Sequence, residues 1–131
     1  MELKGQILKI ADVVERNGRM YPQAELEKAV TKFQEKVKNQ QGVLGILGEP
    51  EHAGKINLYE ISHAVTNVRM EDDKMVADLK VLDTPNGKIL KQMLEAGASP
   101  QFSVSGYGSV RDDGTVVDFE IVTVYSKTSL V

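Results

Sequence analysis

At 131 residues and 41% apolar content, the chain has the size of one domain and enough apolar material for a core without disulfides or metal. It contains no cysteine, which excludes a disulfide framework, a thiolate nucleophile and a thiolate metal site, and suits a reducing compartment. A net charge of −3 with acids and bases interspersed leaves no basic stripe for a phosphate backbone, and no apolar run approaches bilayer-spanning length; neither nucleic acid nor a membrane is an expected partner, and the protein reads as soluble and unsecreted.

The aliphatic residues from Gly5 to Val14 predict a first strand, ended by the Asn-Gly turn signal of "RNGR". Pro22 fits the first turn of a helix whose buried face is Leu26, Ala29, Val30, Phe33 and Val37. Val43 to Leu47 is a short apolar strand leading into the loop "LGEPEHAGK". Leu58 to Met70 and Lys74 to Leu82 read as a hairpin joined by "EDDK", with Met75, Ala77, Leu79 and Val81 on one face. Thr84 is placed to cap a second helix, with Pro85 in its first turn, Gly97 at its end and Ile89, Leu90, Met93 and Leu94 as its apolar stripe. Two strands follow, "QFSVSGYGSV" and "VVDFEIVTVYS", separated by the turn "RDDGT". The expected fold class is one α+β domain over residues 1–131: a curled antiparallel β-sheet or β-barrel flanked by two or more helices.

Chemistry-bearing residues are few. The two histidines, His52 in a turn-rich loop and His63 inside a strand, lie eleven positions apart, which matches no helical zinc motif; no metal and no cofactor is expected. On the residues alone, His52 beside Glu49 and Glu51 is a solvated loop side chain, and His63 a half-buried strand residue with hydrogen-bonded ring nitrogens. Ser99, Ser103, Ser105 and Ser109 cluster around Gly106 and Gly108. A serine hydroxyl attacks a carbonyl only when a base takes its proton and N–H groups hold the oxyanion, and glycines next to such a serine allow the main chain to present those groups. A glycine-bearing bulge has the same composition. The hydrolase elbow G-x-S-x-G is absent, since Gln101 precedes Ser103 by two positions. "DTPNGK" lacks P-loop spacing and is explained as a helix start. The pairs Asp72–Asp73 and Asp112–Asp113 fall in turns and read as structural.

"VVERNGRMYPQAELEKAV", "LGILGEPEH", "KVLDTPNGKILKQMLEAG" and "FSVSGYGSV" occur in an order and spacing that resembles the prohead core protein protease family of tailed phages, over Gly5 to Val124. The anchors are N-x-R-x-Y-P before a helix, the L-G-E-x-x-H loop, and a serine segment ending Gly-x-Gly-Ser. The resemblance implies a serine protease related in fold to the herpesvirus capsid maturation protease. It implies an enzyme that digests scaffold and trims capsid precursors inside the assembling prohead, in the host bacterial cytoplasm, with those precursors as partners and self-association left open. It makes His52 the general base and Ser103 the nucleophile, with backbone groups around Ser105 and Gly106 as the oxyanion site. For a third catalytic member it leaves Asp118, Glu120 and His63, the last giving a Ser-His-His arrangement.

The chain departs from the family pattern at Gln101-Phe102, where a glycine precedes the nucleophile, at Val104-Ser105, where Ser-Arg follows it, and at Ala53, where a proline follows the histidine. Ser126 stands near the place of a late acidic residue. Two functions are therefore expected in order: a prohead maturation serine endopeptidase, and a catalytically inactive capsid or scaffold component that keeps the protease fold.

Overall fold

The computed structural model describes residues 1–51 and 57–127. The elements run β1 (Glu2–Ile10), α1 (Gln23–Gln40), β2 (Val43–Leu47), a single 3₁₀ turn (Leu58–Glu60), β3 (Ile61–Glu71), β4 (Lys74–Val81), α2 (Pro85–Glu95), β5 (Phe102–Val110) and β6 (Val116–Ser126). They form one six-stranded sheet in the order β1-β4-β3-β2-β6-β5. Every pair is antiparallel except β2–β6, which runs parallel from Ile46 beside Tyr125 to Leu47 beside Ser126. The sheet is thus mixed. It curls until its edge strands β1 and β5 touch, and it stops short of closure because no ladder joins them.

Helix α1 forms where the 3.6-residue period is clearest. Leu26, Ala29, Val30, Phe33 and Val37 are buried, and the helix packs on β3 and β6. It ends where Gln41 and Gly42 turn left-handed and Gly42 N–H donates to the Val37 carbonyl at 2.8 Å. In α2, Thr84 Oγ1 accepts from Gly87 N–H at 3.0 Å, so "DTPNGK" is a capped helix start, as its sequence implies. Ile89, expected in the buried stripe, is 46% exposed. The helix is short and seats itself through Leu90 and the close approach of Gly87 instead.

Two predicted strand limits shift. The first strand ends at Ile10 because Asp12 takes a left-handed φ of 61°, leaving Val13 and Val14 exposed in the connection to α1. Leu58 to Glu60 turns before β3 begins, with the Asn57 side chain accepting from Tyr59 N–H at 3.0 Å.

The β1–α1 connection is held against the β5–β6 turn. Met20 N–H donates to Gly114 O at 3.0 Å, and Val116 N–H donates to Met20 O at 2.9 Å. At its start, Lys9 Nζ meets both Glu15 carboxylate oxygens, at 3.0 and 2.9 Å, and lies 4.5 Å from the Tyr21 ring centroid. These contacts fix one wall of the opening between β1 and β5.

Candidate active site

Side chains along a strand alternate between faces. Phe102 and Val104 of β5 belong to the main core, so Ser103 projects to the other side, into a cleft of about 840 Å³ between β1 and β5. Ser103 is 5% exposed. Its cross-strand partner in the β5–β6 ladder is Tyr125, and both residues line the cleft. Tyr125 is buried beside Ile46 and Ile61. That burial pushes its phenol pKa up, the neighbouring Ser103 hydroxyl opposes the shift, and the carboxylate of Glu49 adds to it.

A second recess of about 420 Å³ contains Ser105, Gly106, Pro50, Glu51 and Arg19. Tyr125 and Glu49 line both spaces, so the phenol stands where they join. The β5–β6 register slips between Ser105, opposite Thr123, and Gly106, opposite Ile121. A Cβ at Gly106 would strike the Glu120 carbonyl oxygen; glycine is what allows the two backbones to pass this closely.

The structure does not bring Asp118 or Glu120 to Ser103. They stand seven and five residues before Tyr125 on β6, roughly 15 to 25 Å along the strand. Both are exposed. Asp118 N–H donates to Glu25 at 2.9 Å, and its carboxylate lies 4.0 Å from Lys28. His63 is wholly buried, more so than a half-buried strand position. Its Nε2–H donates to the Val124 carbonyl at 2.9 Å, and Nδ1 accepts from Ser62 Oγ at 2.8 Å. Both ring nitrogens are committed, and burial lowers the imidazole pKa from 6.5 to about 4. These contacts make the ring a structural tie, with no free nitrogen for a catalytic partner.

His52 lies outside the described residues, as does Ala53. The segment before them is firmly placed: Gly48 N–H donates to Ser126 O at 2.7 Å, extending the β2–β6 pairing, and Glu51 reaches the recess of Ser105. Among the described residues there is no cluster of three or more histidine, aspartate or glutamate side chains that could hold a metal. Nor is any helix among them long and apolar enough to cross a membrane.

The model of the family described as prohead core protein serine protease matches residues 2–127. The chain belongs to this family. A solved structure described as the bacteriophage T4 capsid assembly protease, gp21, is similar at 26% identity and a TM-score of 0.85, with 98% of this chain and 81% of that one covered. No curated protein sequence matches. The family and the similar structure are those of a phage protease of capsid assembly, and the curled sheet with two flanking helices is the fold of that protease.

Nothing in the sequence marks Tyr125, and Glu49 stands out there only as a neighbour of His52. Tyr125 reads there as one more β-prone residue of "VTVYS", and only the pairing of β5 with β6 sets it against Ser103.

Proposed function

We propose that this chain is a prohead maturation serine endopeptidase in which Ser103 is the nucleophile and His52 the general base. It acts on scaffold and capsid precursor proteins inside the assembling head, in the host cytoplasm. The observation that carries this reading is the position of Ser103. In a chain of a serine protease family, Ser103 of its "FSVSGYG" segment lines a cleft, while its flanking residues Phe102 and Val104 are core. The neighbour of His52 in sequence, Glu51, lines the adjoining recess, which supports the pairing.

In this mechanism Ser103 Oγ bonds to the peptide carbonyl carbon as His52 takes the hydroxyl proton. The carbonyl π pair moves to oxygen, and backbone N–H groups near Ser105 and Gly106 hold the resulting charge. Collapse expels the amine, which receives the proton from His52, and water resolves the acyl-enzyme. No role is assigned to His63, Asp118 or Glu120.

The rival reading, an inactive structural relative, is favoured by one observation: Ser105 stands where the family pattern has arginine. A fluorophosphonate probe decides. Labelling of Ser103 that disappears in His52→Ala, with cleavage of co-expressed scaffold abolished by Ser103→Ala, supports the enzyme. Folded protein that neither labels nor cleaves scaffold supports the structural role.

A further inference from the structure

Resting on the assignment of Ser103 as nucleophile, we propose that Tyr125 is a further catalytic residue, whose hydroxyl donates a hydrogen bond to the oxyanion formed when Ser103 attacks. The geometry starts from the ladder. Ser103 and Tyr125 are directly opposed on β5 and β6, both line the same cleft, and the serine hydroxyl stands close enough to bear on the phenol. When Ser103 Oγ bonds to a carbonyl carbon, the carbonyl oxygen is attached to that same carbon. A donor within reach of Oγ is then within a small rotation of the oxyanion. The Tyr125 ring is held by burial beside Ile46 and Ile61, so its hydroxyl is aimed before substrate arrives, as a preorganised donor must be.

The surroundings suit a donor rather than a base. Burial and the nearby Glu49 carboxylate keep the phenol protonated at neutral pH. Tyr125 also stands at the junction of the Ser103 cleft with the Ser105–Gly106 recess, where a peptide crossing from one to the other would carry its scissile carbonyl. The step balances without a co-reactant. The Oγ–C bond forms, the π pair moves to oxygen, His52 holds the serine proton, and the phenol keeps its own proton throughout while sharing it in a hydrogen bond. The arrangement gives this chain a side-chain donor beside the nucleophile at a site where the arginine of the family pattern is replaced by Ser105.

The test compares Tyr125→Phe with the parent protein, using a peptide from a scaffold cleavage site and the corresponding peptide aldehyde. Expected are a fall in kcat of about a hundredfold, KM within about twofold, and a loss of aldehyde affinity similar to the loss in kcat, since the aldehyde forms the tetrahedral adduct and the substrate does not. A parental kcat overturns the inference, and so does a lowered kcat with undiminished aldehyde affinity. Incorporation of a fluorinated tyrosine at position 125 keeps the shape and makes the phenol more acidic; a new alkaline fall in kcat is expected, and its absence also overturns the inference. Cleavage that survives Ser103→Ala instead refutes the assignment of the nucleophile, an outcome separable from all of these.

Discussion

His63 and Val124 are joined across a strand that lies between them: the imidazole of β3 reaches over Gly45 of β2 and donates to a carbonyl of β6 at 2.9 Å. The neutral ring fits this place and the charged ring does not, because desolvation outweighs the carbonyl hydrogen bond and brings the pKa to about 4. The unfolded imidazole binds its proton near pH 6.5. Between those values the unfolded state binds more protons, so stability falls as the pH drops through that window. It is at its full value above 6.5, and the loss levels off below 4 at about 3 kcal/mol or less. Urea unfolding from pH 7.5 to 4 should show this slope, and His63→Gln should flatten it.

Gly45→Ala should be among the most damaging single-methyl additions in the sheet. The new Cβ would fall on His63 Nε2 and on the Val124 carbonyl oxygen, neither of which is the free end of a flexible chain. Relief requires breaking the hydrogen bond and parting β2 from its neighbours. The expected cost is about 2 to 4 kcal/mol, read as a lowered urea midpoint with an unchanged m-value.

The contrast between α1 and this tie shows what could be read from the sequence. The buried face of α1 depends on intervals within eighteen residues, and the five apolar positions that share a face are the five that are buried. The β3–β4 hairpin and the Thr84 cap are local in the same way. Interactions set by strand order were not legible. The parallel β2–β6 pairing, the reach of His63 over Gly45 and the opposition of Ser103 to Tyr125 join residues 22 to 79 positions apart through the register of the assembled sheet. For the candidate site, the segment and the family resemblance point to Ser103, while Asp118 and Glu120 are candidates only as acids on the strand that carries a late acidic residue in the family, and the structure sets them well away from the serine along β6. Strand membership says nothing about distance along the strand.

Thr84 binds two elements at once. Its Oγ1 accepts from Gly87 N–H at the start of α2 and donates to the Ile61 carbonyl at the start of β3. Thr84→Ala should cost about 1 to 2 kcal/mol, the usual loss for a helix cap, with the larger figure expected because the Ile61 carbonyl also loses its donor. Thr84→Ser should retain most of the stability, because the hydroxyl is kept. Thermal unfolding of the two variants beside the parent checks the order.

Ser126 presents the opposite case, a hydroxyl with no partner among the described residues. The residue is wholly buried at the end of β6, opposite Phe102, and its Oγ has no hydrogen-bond partner among the described residues. A buried hydroxyl without a partner loses its water and gains no bond in exchange. Ser126→Ala should therefore leave stability unchanged or raise it by up to about 1 kcal/mol. Ser126→Asp tests the same site from the other side, since the family pattern has an acidic residue near this position. With no described donor to meet it, the carboxylate must stay protonated or pull the strand end open, so a loss of several kcal/mol at pH 7 is expected, shrinking as the pH is lowered toward the carboxyl range. Paired denaturation curves at pH 7 and pH 5 measure it, and a stable Ser126→Asp protein at pH 7 would reveal a cationic or N–H partner at the end of β6.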